Sequence, residues 1–129
     1  MEKKGYVKGT IQTEKQEVSV NLPIIQFEED GSSIVYCPAI DVYGYGLNTA
    51  EAEKSFSTSL LEFLKYTTNK GTLIPELKRL GWNISKGKKN QMTPPPLTQL
   101  LIENENFSRI FNNHSFTKTD RRVEIPIAV

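Results

Sequence analysis

Residues 32 to 56 read SSIVYCPAIDVYGYGLNTAEAEKSF, and the repeat of the chain changes inside them. Through residue 46 apolar positions recur every second residue, the period that lines up side chains on one face of a strand. Pro38 has no amide proton for a ladder, so a strand over residues 33–37 ends there. A short strand resumes over residues 42–46, with Tyr43 and Tyr45 on one face and Gly44 and Gly46 on the other. Two glycines on one face predict close approach by the next element. From residue 49 the period lengthens to that of a helix: Ala52, Phe56, Leu60, Phe63 and Leu64 form one stripe, and Glu53, Lys54, Ser57 and Glu62 lie away from it. Asn48 or Thr49 supplies the N-cap, Glu51 stands at capping-box spacing from Asn48, and Gly71 closes the helix.

Outward from this stretch the same reading gives the rest of an α+β fold with a small antiparallel sheet. Upstream, Val7, Gly9 and Ile11 share a face of a first strand over residues 6–12, and residues 13–16 turn into a second strand marked by Val18, Val20, Leu22 and Ile24. Asp30-Gly31 provides the tight reversal into the third. Downstream, a short helix over residues 73–80 stops at Gly81, and Trp82-Asn83-Ile84 adds a last strand to the sheet. Residues 1–84 are thus expected to form the core, residues 85–96, with their lysines and Pro94-Pro95-Pro96, a linker, and residues 97–129 an appendage. In that appendage Leu97, Leu100, Leu101, Phe107, Ile110 and Phe111 predict one helix or two short ones. Val123, Ile125, Ile127 and Val129 then alternate in a terminal strand. Such an apolar strand needs a dock, either its own sheet or another copy of the chain.

Composition narrows the function. A content of 37% hydrophobic and 24% charged residues permits a folded core, and 129 residues hold one core rather than two. The net charge of +1 divides into −2 over residues 1–82 and +3 over residues 83–129. That surplus is too small to argue for a phosphate-binding surface. With one cysteine and neither a secretory nor a membrane-length apolar run, a cytoplasmic setting without membrane attachment is expected.

No catalytic, metal or cofactor residues are assigned. His114 lies in a polar stretch with no nucleophile or carboxylate beside it, and reads as a surface loop residue. Cys37 reads as a buried small apolar group rather than a reactive thiol. Glu28-Glu29-Asp30 reads as a solvated turn, and Asp41 as a turn cap rather than a metal ligand. Gly44-Tyr45-Gly46 lacks the third glycine of a phosphate loop and reads as tight strand–helix packing. Lys86, Lys88 and Lys89 read as solvated linker. Tyr36, Tyr43 and Tyr45 divide evenly between binding surface and half-buried sheet.

Residues 33–41, then Gly44-Tyr45-Gly46, then Thr49-Ala50-Glu51-Ala52 opening the helix, resemble the core of HicB-type antitoxins, and the resemblance extends over roughly residues 18–84. It implies a partial ribonuclease-H-like fold without the nuclease acids. It also implies a non-enzymatic protein that binds and sterically neutralises a small basic HicA-type ribonuclease toxin. Under that reading Tyr36, Asp41, Tyr43, Tyr45, Arg122, Val123, Ile125 and Ile127 are the partner-binding residues, and the protein is a homo-oligomer. Members of the family often add a helix-turn-helix, or a strand followed by two helices, to bind DNA. Here the order is helix then strand, and DNA as a partner stays open. The alternative is an oligomeric interaction module of the same fold without a toxin.

Overall fold

The computed structural model describes residues 16–85 and 91–127. The strand expected over residues 6–12 and the lysines at 86, 88 and 89 lie outside them. Three strands come first: β1 (Gln16–Glu29), β2 (Ser32–Cys37) and β3 (Val42–Gly46). Helices α1 (Thr49–Lys70) and α2 (Leu73–Arg79) follow, then short strands β4 (Asn83–Ser85) and β5 (Gln91–Thr93). Helices α3 (Leu97–Glu103) and α4 (Glu105–Asn113) lead to β6 (Thr117–Ile127). The main sheet has the order β3-β2-β1-β6, antiparallel throughout.

The turn joining β1 and β2 is the two-residue Asp30-Gly31 reversal, with φ of 54° and 80°. Both values are positive, as the primed hairpin turns require. The β2–β3 connection ends on Asp41, also left-handed at φ 56°, and its amide donates to the Cys37 carbonyl at 2.8 Å.

Register assigns the two faces. Gly44 and Gly46 pair with Val35 and Ser33, while Tyr43 and Tyr45 pair with Tyr36 and Ile34 on the opposite side. Helix α1 lies on the glycine side. A Cβ at Gly44 would stand 2.2 Å from the Phe56 nitrogen, and one at Gly46 would stand 2.5 Å from that of Ala52. The missing side chains therefore set how close the helix comes. Along α1 the residues turned inward are Ala52, Phe56, Leu60, Leu64 and Thr67, with Phe63 only partly covered. Asn48 Oδ1 caps the Glu51 amide at 2.9 Å, and the Glu51 carboxylate accepts from Leu47 N–H at 3.0 Å. At the far end Gly71 N–H donates to Thr68 and Thr72 N–H to Thr67, the paired closing bonds that a left-handed glycine permits. Helix α2 closes the same way, Gly81 donating to Lys78 and Trp82 to Leu77.

The other sheet face carries α4. Phe107 and Ile110 are buried, His114 leans on Phe27 with ring centroids 5.0 Å apart, and Arg109 reaches Glu29 at 3.5 Å. The sheet is thus sandwiched between α1 and α4.

Several expectations change. Asn83–Ser85 does form a strand, but it pairs with Gln91–Thr93 in a separate two-stranded sheet rather than joining the main one. The segment expected as a linker accordingly contains a strand, with Met92 buried in the core. Trp82 is buried as well, and its indole N–H donates to the Ala39 carbonyl at 2.8 Å. Residues 97–113 form two helices, separated at Asn104, whose side chain caps the second by accepting from Phe107 N–H at 3.0 Å. Strand β6 docks on β1 of its own chain over eleven residue pairs, from Gln16↔Ile127 to Gln26↔Thr117. Val123 and Ile125 belong to the same core as α1 and α4, so the C-terminal segment expected as an appendage supplies part of the one core.

Candidate interaction surface

Tyr36, Tyr43 and Tyr45 stand in a row across β2 and β3. The Tyr36 and Tyr43 rings stack with centroids 4.2 Å apart, and Tyr43 and Tyr45 with centroids 5.8 Å apart. Exposure rises along the row from 0% at Tyr36 to 56% at Tyr45. One end of the ladder is therefore core and the other is exposed. Leu47, 82% exposed, follows Tyr45 in the chain.

The buried end is tied by polar groups. Tyr36 Oη donates to Asp41 Oδ1 and accepts from Asn104 Nδ2 at 2.9 Å. Asn104 Nδ2 also reaches the Pro38 carbonyl at 3.3 Å, and Asn106 Nδ2 reaches Asp41 Oδ1 at 3.3 Å. Burial, with the Asp41 hydrogen bond next, raises the Tyr36 phenol far above its ordinary pKa. Tyr43 is also raised, by burial first and then by the nearby Asp41 charge. Both phenols are neutral at physiological pH. The Asp41 carboxylate thus accepts from Tyr36 and Asn106, while the turn itself is closed by the Asp41 amide donating to Cys37.

Beside this row is a hollow of about 320 Å³ between the β2–β3 turn, the end of α2 and the α3–α4 junction. Asp41, Glu103 and Glu105 line it together with Arg79. Arg79 is already engaged: its Nε donates to Glu76 Oε1 at 3.0 Å, and that pairing lowers the Glu76 pKa. The rim is left with an acidic excess. A larger hollow, about 530 Å³, opens between the start of α1 and the start of β6, near Gln26, Thr49 and Phe116.

The remaining residues expected to bind a partner separate by location. Arg122 is exposed and bonded to Ser19 Oγ at 2.9 Å and Glu124 at 3.0 Å. Val123, 4% exposed, and Ile125, 0% exposed, face inward, so they hold β6 on the sheet and offer no surface. Ile127 pairs with Gln16 in register.

His114 is not a free loop residue. It ends α4 with its side chain 18% exposed and Nε2 3.8 Å from Glu29 Oε2. The chain brings an acid to it from 85 positions upstream, too far for sequence neighbourhood to reveal. Asn104 was missed in the same way: its capping role is visible in Asn-Glu-Asn-Phe, its bond to Tyr36 is not. Burial pushes the Cys37 thiol up to about 12, in keeping with an inert core residue. Among the described residues no three His, Cys, Asp or Glu side chains gather where they would hold a metal ion. Nor is any helix among them long and apolar enough to cross a membrane. Compared with known proteins, the chain matches no family model, no curated protein and no solved structure.

Proposed function

We propose that the protein is a HicB-type antitoxin-like binding protein, which sterically neutralises a small basic ribonuclease toxin without catalysis of its own. The observation that carries this reading is the tyrosine row. Strand, proline turn, glycine-flanked strand and capped helix form the stretch that resembles the antitoxin core. In that stretch the glycine side is filled by α1, and the opposite side carries the tyrosine row, exposed at Tyr45, with an acidic rim near its buried Tyr36 end. Rigid aromatic side chains with a polar tip supply anchoring area at low entropic cost, and an acidic rim favours a basic partner. On this reading the order β3-β2-β1 with α1 behind it stands for the partial ribonuclease-H-like core that the resemblance implies. Strand β6, reached only after three further helices and a hairpin, extends it.

The test is co-expression with a small, basic, histidine-containing protein encoded beside it. Copurification and inhibition of that protein's RNA cleavage are expected, with Tyr45→Ala weakening the complex by roughly tenfold or more, as truncation of an aromatic anchor does. If the neighbour neither copurifies nor loses activity, the toxin assignment falls. An oligomeric module without a toxin is favoured by a different feature, the outer edge of β6.

A further inference from the structure

Strand β6 is an end strand of the sheet, and among the described residues nothing pairs with its outer edge. The Asp30-Gly31 turn determines which backbone groups point outward there. A two-residue hairpin turn is closed by a pair that exchanges both hydrogen bonds, here Glu29 and Ser32. Odd-numbered residues of β1 therefore direct N–H and C=O toward β2, and even-numbered ones toward β6. By register, Thr117, Thr119, Arg121, Val123 and Ile125 bond to β1, while Lys118, Asp120, Arg122 and Glu124 face outward. Pro23 and Pro126 agree with this phase, since both fall where the β1–β6 ladder needs no donor. Tyr45 agrees too: its N–H is not used by β2 and donates to Ser55 Oγ at 3.1 Å, which partly closes the opposite edge of the sheet.

The four outward residues alternate in charge, plus, minus, plus, minus, and all are exposed. The geometry points to a homodimer in which β6 of two copies pairs antiparallel, edge to edge, about a two-fold axis at Arg121. In that register Lys118 stands opposite Glu124 of the second copy and Asp120 opposite Arg122. Every charged pair is then also a hydrogen-bonded backbone pair. Moving the axis to Asp120 sets Lys118 against Arg122. Moving it to Arg122 sets Asp120 against Glu124. The charges thus select one register and penalise its neighbours, as edge strands do when indiscriminate pairing must be avoided. Beyond Glu124 the next outward position is Pro126, which has no donor, and the ladder stops there. The like charge on the axis is drawn aside: Arg121 bonds Ser57 Oγ at 2.9 Å and lies 5.3 Å from the centroid of the Phe56 ring in its own chain. This inference is independent of the toxin reading and leaves the tyrosine row uncovered.

Light scattering or sedimentation of the full chain over a concentration series tests it. A concentration-dependent dimer, weakened by high salt, is expected. Arg122→Asp sets two acids opposite each other in each half of the interface, and Asp120→Arg sets two bases. Each is expected to weaken association by roughly tenfold or more. An equimolar mixture of the two variants restores every pair and is expected to associate as the unmodified chain does. Circular dichroism checks that each variant is folded, and Lys118→Glu mixed with Glu124→Lys provides a second, independent swap. A monomer at every concentration, a dimer indifferent to the single changes, or variants that stay apart when mixed would overturn the proposal.

Discussion

At the scale of single residues, the Tyr36 hydroxyl shows how one atom joins distant parts of the chain. It donates to Asp41 across the β2–β3 turn and accepts from Asn104 at the α3–α4 junction. Tyr36→Phe removes that junction and leaves Asn104 Nδ2 with only the longer bond to Pro38. A loss of about 1–3 kcal/mol in denaturant unfolding is expected at neutral pH. The phenol's pKa is raised in the folded state, so the folded protein keeps a proton that the unfolded chain releases near the ordinary value of about 10. Its contribution is therefore complete below that pH and lost as pH rises beyond it. Tyr36→Phe is expected to flatten the alkaline fall in stability, measured as melting temperature against pH.

At the scale of elements, β3 and α1 are matched by what β3 lacks. Gly44 sits against the Phe56 backbone, so an added methyl group meets main chain rather than a movable side chain. Gly44→Ala is expected to push α1 off the sheet and to lower stability by about 3 kcal/mol or more, read as a shifted denaturant midpoint. The helix itself is legible from sequence because its stripe, its Asn48 cap and its Gly71 stop are all local signals. The glycine contact was legible in kind, since two glycines on one strand face predict close approach. The tyrosine row was legible only as a set of three residues, because its gradient from core to surface depends on α4 covering one end.

At the scale of the molecule, one core includes residues from β1 through β6. Phe107 and Ile110 close the second face of the sheet, whose first face α1 covers. Phe107→Ala is expected to cost about 3–5 kcal/mol and to lower the melting of the entire chain in one transition. Fluorescence of the single tryptophan, Trp82, held through its indole to Ala39, reports that transition from the β2–β3 turn. An unchanged tryptophan transition in that variant would mean that residues 97–113 fold apart from the rest.

What the chain determines locally is read directly from it: alternation in β1 to β3, the reversal at Asp30-Gly31, the period and caps of α1, the glycine stops at 71 and 81. Each depends on neighbours within a few residues, where backbone sterics and periodicity act. The alternation of Val123 and Ile125 likewise announced a strand in need of a dock. Only the tertiary structure decided that this dock is β1, that Asn83–Ser85 pairs with Gln91–Thr93, and that His114 meets Glu29 and Asn104 meets Tyr36. A strand's outward and inward faces are intrinsic to its sequence, but its neighbour is chosen by which buried surface remains to be covered once α1 and α4 are in place. That choice left the alternating charges of Lys118 to Glu124 on the outer edge of the sheet.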